Sequence, residues 1–207
     1  GHAALSGLYD PAIALLTRER LWRARLLDEV APSPGETIID LGCGTGSLAL
    51  AMARRAPEAR IIGLDPDADI LARAAAKADR EGGTVRFVQG FARDAATLLG
   101  EGLANKVVSS LVFHQLPMAE KRAGLAASRR ALRLGGTLHV ADYGRQTGVM
   151  RLLFRLVQLL DGYENTQPNA DGVLPTLMAE AGFGQVREID LIPTATGSIS
   201  LYRAVRR

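Results

Sequence analysis

Apolar positions along the chain follow two rhythms. From Leu8 to Val30 they recur at helical spacing (Ile13, Leu16, Leu21, Leu26, Leu27, Val30), and the cluster Pro32-Ser33-Pro34-Gly35 then stops the run. This predicts an N-terminal helical segment over residues 1–33. From Thr37 onward, short apolar runs alternate with helix-spaced ones. Thr37–Leu41, Arg60–Asp65, Val85–Gln89, Val107–Leu111 and Thr137–Asp142 read as strands, and Ser47–Arg55, Ala68–Glu81, Ala95–Leu99 and Ala119–Leu132 as helices. Strands that alternate with helices need crossover connections. The pattern therefore predicts an α/β fold, a doubly wound, mostly parallel sheet with helices on both faces.

After Asp142 the rhythm changes. Gly148–Tyr163 is a strongly apolar helical stretch carrying Arg151 and Arg155, followed by a polar loop, Glu164–Asn169, and a helix from Leu174 to Ala181. Residues 143–172 read as a helical lid inserted late into a domain that spans residues 34–207. The chain closes with Gln185–Leu191 and Ser198–Val205, two strand-like runs whose connection contains Pro193 and Gly197 and is short enough for a hairpin. This C-terminal antiparallel strand pair brings the predicted sheet to seven strands.

Composition narrows the function classes. With 207 residues, 47% of them hydrophobic, one compact domain can bury a sizeable core. The single Cys excludes an internal disulfide, and the three His, at positions 2, 114 and 139, lack zinc spacing, so no metal is expected. The +3 balance of 25 basic and 22 acidic residues is slight and dispersed, which argues against a nucleic-acid partner. Val149–Leu160, the longest apolar segment, is cut by two arginines and too short for a bilayer. No integral membrane association is expected. No secretory pattern opens the chain, so a cytoplasmic location is expected.

The most informative stretch is Ile38-Ile39-Asp40-Leu41-Gly42-Cys43-Gly44-Thr45-Gly46, an apolar strand running through three alternate glycines into a helix. Glycines let the backbone turn sharply and approach a ligand, and a helix N-terminus offers free N–H groups. The second strand ends at Asp65, whose carboxylate can accept both hydroxyls of a ribose beside that loop. Loop and acid imply an adenosine-type cofactor. The plainer reading has the glycines only making a turn and Asp65 capping the next helix. A dinucleotide fold is the sharper rival, because Gly44, Gly46 and Ala49 satisfy G-x-G-x-x-A. Asp40 inside the turn, the loop spacing and the terminal strand pair weigh against NAD.

Asp40-Leu41-Gly42-Cys43-Gly44-Thr45-Gly46, the strand end Gly63-Leu64-Asp65, Arg133-Leu134-Gly135-Gly136-Thr137-Leu138 and Ala181-Gly182-Phe183 together resemble the class I S-adenosylmethionine-dependent methyltransferases, from about Pro34 onward. Ser109-Ser110-Leu111-Val112-Phe113-His114-Gln115-Leu116-Pro117 is similar to the small-molecule enzymes related to quinone biosynthesis. The resemblance implies a Rossmann-like fold, S-adenosylmethionine as cofactor and a small-molecule acceptor. It places Gly42, Cys43, Gly44 and Gly46 against the methionine part, with Asp40 supporting the loop or the ammonium group. It places Asp65 on the ribose, Pro66 near adenine and Ser110 at the edge of the cofactor site. Many relatives carry an acid after the third strand, where this chain has Phe91 and Ala92. Adenine is then met by the Phe91 ring, the Ala92 N–H or Asp94.

Methyl transfer from a sulfonium is an in-line displacement, so alignment and exclusion of water are the main tasks, and a base is needed only for acceptors that must lose a proton. His114, at the C-terminal end of the fourth strand, is the candidate base as a neutral imidazole. A buried histidine hydrogen-bonded to its loop is the alternative. Asp142, Tyr143 and Arg145 end the fifth strand on the same edge and are candidates for holding substrate. Tyr9, ahead of the first helix, is a candidate to cover the cofactor. The apolar lid stretch covers the sheet edge, a substrate pocket or a second subunit in a homodimer, or docks on a membrane surface, with core packing the plainest of these readings. A non-catalytic S-adenosylmethionine-binding protein remains the alternative from another class.

Overall fold

A computed structural model describes residues 17–207. Tyr9 and the first part of the predicted N-terminal helix lie outside the described residues. The described part of that segment is α1 (Glu19–Val30), which starts after Arg18, a residue in the left-handed region at φ 52°, so the helix does not run on through Arg18 as its periodicity suggests. Trp22, Leu26 and Val30 recur at helical spacing and form its buried face.

The α/β part alternates β1 (Thr37–Leu41), α2 (Ser47–Arg55), β2 (Arg60–Asp65), α3 (Ala68–Glu81), β3 (Val85–Gln89), α4 (Ala95–Leu99), β4 (Ala104–Ser110), α5 (Met118–Ala131) and β5 (Leu132–Tyr143). β5 begins earlier than Thr137 because Leu132 pairs with Ala104 and the Arg133–Gly136 turn stays within the strand's course. β6 (Phe183–Thr194) and β7 (Gly197–Arg206) complete one seven-stranded sheet of order β3-β2-β1-β4-β5-β7-β6. β1 to β5 pair in parallel, whereas β7 runs antiparallel to both β5 and β6. Pro193 sits inside the edge strand β6 rather than in the connection, an edge being where its missing N–H breaks no ladder.

Successive strand residues feed two cores, one on each face. Ile38, Val108 and Ala141 join Trp22, Met52 and Phe154 on one side, and their neighbours Ile39, Val107 and Val140 join Leu64, Leu125 and Met178 on the other. Two-faced burial explains why the parallel strands read as unbroken apolar runs.

The lid comprises α6 (Gly148–Leu153), α7 (Arg155–Asp161) and α8 (Tyr163–Ala170), followed by α9 (Leu174–Glu180). The expected polar loop Glu164–Asn169 is instead helix α8. Its polar residues are held by long-range bonds: Lys121 Nζ donates to the Asn165 carbonyl at 3.0 Å and Asn169 Nδ2 to the Tyr143 carbonyl at 3.0 Å. Tertiary contacts override the weak propensity of this segment. Among the described residues no helix is long and apolar enough to cross a membrane, and no group of three or more His, Cys, Asp or Glu is placed to hold a metal ion.

Candidate active site

The C-terminal edge of the parallel strands is where ligands bind in such sheets. At the end of β1 the chain turns through Gly42, Gly44 and Gly46, with φ of 67°, 51° and 73°. Gly42 and Cys43 donate N–H bonds to the Leu64 carbonyl, tying the loop to β2. A Cβ on Gly42 would lie 2.3 Å from Val112 and one on Gly46 2.9 Å from Phe87, whereas one on Gly44 would meet nothing within 4 Å. Two of the glycines let packed neighbours close in. Gly44 faces open space at the loop's crest.

Asp65 ends β2 and is buried, its Oδ2 accepting the Gly44 N–H at 2.9 Å and its Oδ1 the Asp67 N–H at 3.0 Å. It therefore fixes the loop from the next strand. Asp67, not Asp65, caps α3, accepting from the Asp69 and Ile70 N–H groups. The cap reading is thus excluded for Asp65. Cys43 is buried, and burial, reinforced by the nearby Asp40 and Asp65 charges, pushes its thiol up, so it stays protonated.

Asp40 lies beneath the loop, 1% exposed, its carboxylate without a side-chain hydrogen-bond partner and with the Ala49 N–H of α2 drawn toward it. Burial raises its pKa to about 7, with Arg23 of α1 drawing it down and Asp65 pushing it up. A buried carboxylate so sparsely partnered is costly. Beside a helix N-terminus and an open glycine crest, it is the feature a bound cation would relieve. The residues present thus fit a cofactor with a cationic amino-acid part and a ribose.

Of the residues expected near adenine, Pro66 and Phe91 are exposed and Ala92 is half-buried. The Phe91 N–H donates to Asp94 at 3.2 Å, and the Arg93 guanidinium sits 4.2 Å from the Phe91 ring centre. One face of that ring is therefore already covered. Ser110 is half-buried at the end of β4, and Leu111 follows it at φ 56°, a strained conformation for a leucine.

His114 is buried in the short turn after β4. Its Nδ1 lies 2.7 Å from Asp142 Oδ1 and its Nε2 3.3 Å from Asp161 Oδ2 of the lid. Burial alone would lower its pKa, but the charge and hydrogen bond of Asp142 and then Asp161 outweigh it and raise the value to about 9. Both ring nitrogens face carboxylate oxygens, an arrangement that favours the protonated ring. A ring clasped by two carboxylates in this way has both nitrogens engaged, which bears on the expected role of a neutral base.

Asp142 is fully buried and fully used. Besides His114 Nδ1, it accepts from the Phe113, His114 and Tyr143 N–H groups. The Tyr143 ring packs edge-on against His114, and its hydroxyl lies 2.7 Å from Thr196. Arg145 is exposed, its side chain packed over Gly172.

The sequence did not point to Lys121, Asp161 or Arg23. Lys121, fully buried on α5, donates to the carbonyls of Phe113, His114 and Asn165, and burial lowers its pKa to about 8. Its signal was present: it lies three, four and seven residues before Gly124, Leu125 and Ser128, all buried, so it occupies a core position. Asp161 and Arg23 gave none, because they reach the site only through folding.

A parallel sheet with a terminal antiparallel pair, a glycine crest and an acid at the end of β2 define an α/β fold of the nucleoside-cofactor-binding kind. The family model described as a methyltransferase domain matches residues 38–136. The chain is 35% identical over 123 residues to the demethylmenaquinone methyltransferase of Thermus thermophilus, covering 59% of this chain and 54% of that protein. It is 26% identical over 190 residues to a ubiquinone/menaquinone biosynthesis C-methyltransferase of Paracoccus denitrificans, covering 81% of this chain and 74% of that one. Among solved structures, magnesium protoporphyrin IX methyltransferase from Synechocystis, with bound S-adenosylhomocysteine, superimposes with a TM-score of 0.69 at 18% identity, covering 100% of this chain and 90% of that one, which attests the fold. The matched domain and these relatives support a class I S-adenosylmethionine-dependent methyltransferase, with S-adenosylmethionine as the cofactor.

Proposed function

We propose that this methyltransferase acts on a small-molecule acceptor held between the C-terminal ends of β4 and β5 and the lid, and that it works by alignment rather than by proton abstraction. The observation that carries this reading is the clasp of His114 by Asp142 and Asp161, which fills both ring nitrogens and ties the lid to the sheet edge. The names of the Thermus and Paracoccus relatives, which point to quinone biosynthesis, support a small acceptor.

When bound, S-adenosylmethionine supplies a methyl group on a sulfonium sulfur, and S-adenosylhomocysteine is left once the acceptor atom has taken the carbon. Asp40 neutralises the ammonium group, the Gly42–Gly46 loop with Cys43 holds the methionine part, and Asp65 takes the ribose. Pro66, Phe91 and Ala92 flank adenine, and Ser110 borders the site. His114, Asp142 and Tyr143 are positioning residues that fix the β4 and β5 ends, while Arg145 is free to meet an anionic acceptor. A cytoplasmic setting fits the single buried cysteine.

Calorimetric titration with S-adenosylhomocysteine and with NAD(H), followed by a small-molecule library screened through coupled detection of S-adenosylhomocysteine, tests the reading. Binding of S-adenosylhomocysteine alone and turnover of a library member are expected. NAD(H) binding without a response to S-adenosylhomocysteine would return the oxidoreductase reading. Cofactor binding with no turnover across broad acceptor classes would favour a non-catalytic binding protein.

A further inference from the structure

The lid holds six of the twelve large apolar side chains exposed among the described residues: Val149, Leu152, Leu156, Leu159, Leu160 and Tyr163. They form a stripe. Phe154 donates its N–H to Met150 and accepts that of Gln158, so helical register carries through the junction of α6 and α7. At about 100° per residue, the first five project within an arc of about 100°, roughly opposite the buried Phe154 and Val157. Core burial is thus complete on one side of the helix, and a second apolar face points outward.

The flank of that face is basic. Arg151 and Arg155 lie along one edge of the stripe, with Arg151 bonded to Asp171 at 2.9 Å and Arg155 in no ion pair among the described residues. Between α6–α7 and α8 they line an open groove of about 290 Å³ with Gln158, Tyr163 and Gln167. Gln158 already donates to Gln167, and Gln167 and Arg151 to Asp171, so the Arg155 guanidinium and the Tyr163 hydroxyl are the donors this groove offers to the oxygens of a phosphate. The apolar face itself is a convex ridge, with Leu159 82% exposed. A folded protein would need a matching groove to receive it, whereas a lipid surface admits protruding side chains without shape complementarity.

We propose that the outer face of the lid docks on an anionic phospholipid surface, its leucines entering the boundary between headgroups and acyl chains and the Arg151–Arg155 groove taking a lipid phosphate. Tyr163, amphipathic and at the end of the stripe, suits the interface. Docking does not depend on which acceptor is methylated, so its failure would leave the proposed function standing.

Co-sedimentation of the full chain with phosphatidylcholine vesicles, and with vesicles containing phosphatidylglycerol, tests this. Binding is expected to be about tenfold or more stronger on the anionic vesicles and to weaken severalfold in high salt. The double variant Leu156→Gln/Leu159→Gln, both exposed, is expected to keep its circular dichroism and S-adenosylhomocysteine affinity and to lose about tenfold or more in vesicle binding. Arg155→Gln should lose about threefold, on anionic vesicles only. Absence of sedimentation, or equal sedimentation of the double variant, would overturn the proposal. So would light scattering that showed a dimer broken by the double variant with no vesicle binding, since the face would then pair two copies of the chain.

Discussion

Replacing Asp40 with asparagine isolates the cost of one buried charge. Folding raises this carboxyl from 3.8 to about 7, chiefly by burial. A folded pKa above the unfolded one gives stability that is fully present at low pH and lost as pH rises through the folded value. Between pH 5 and pH 8 the loss amounts to about 3 kcal/mol, a large share of a domain's typical stability. Other groups titrate nearby. His114, raised to about 9, loses its contribution between pH 6.5 and about 9. His139, lowered to about 3 by burial and by Arg203 and Lys106, works the other way, because below pH 6.5 the unfolded chain takes up its proton first. The wild-type profile therefore mixes opposing slopes. Both histidines persist in Asp40→Asn, so the difference in urea-unfolding free energy between the two proteins reports Asp40 alone. The wild type is expected to lose about 3 kcal/mol relative to the variant from pH 5 to pH 8. Parallel profiles would refute an ionisable carboxyl beneath the loop. Saturating S-adenosylhomocysteine should shrink the difference, since its ammonium group would draw the pKa down.

Asp65→Ala removes the acceptor for the Gly44 N–H together with the proposed ribose ligand. It is expected to weaken S-adenosylhomocysteine by about 1.5 to 3 kcal/mol, read by calorimetry, and an unchanged dissociation constant in a folded variant would exclude Asp65 from the site. His114→Gln leaves Asp142 and Asp161 without their shared cation and is expected to cost about 3 kcal/mol at pH 7. It should also remove His114's share of the wild type's loss of stability between pH 6.5 and about 9, leaving the shallower part due to Asp40, so an unchanged slope in the variant would show that His114 is not the charged group.

The alternating core and the glycine crest were legible because both are written locally. Ile38 and Ile39 face opposite cores, so β1 reads as an apolar run, and no residue but glycine suits Gly42, pressed against Val112 at positive φ. Helix α3 was equally plain, with Asp67 capping a strongly periodic segment. The lid was not. Glu164–Asn169 is a loop by composition and a helix through bonds to Lys121 and Tyr143, partners far away in sequence. The same distance hid the surroundings of His114. Its own neighbours in the chain suggest a neutral ring, and Asp142 and Asp161 favour the protonated one only when β5 and α7 are folded beside it.

The buried polar groups at this edge also divide by how fully they are used, and the division separates scaffold from ligand site. Asp142 accepts four hydrogen bonds, and Lys121 spends its ammonium on three carbonyls; a group so satisfied has nothing left for a ligand and serves to fix the turn after β4 against the lid. Asp40 stands at the other extreme, a buried carboxylate with no side-chain hydrogen-bond partner. Leaving it so costs stability in the free protein, whereas an apolar residue of similar volume would cost none. In the proposed function a cationic ammonium group would complete the arrangement at Asp40, beside the glycine loop, rather than at His114, whose two nitrogens are already held.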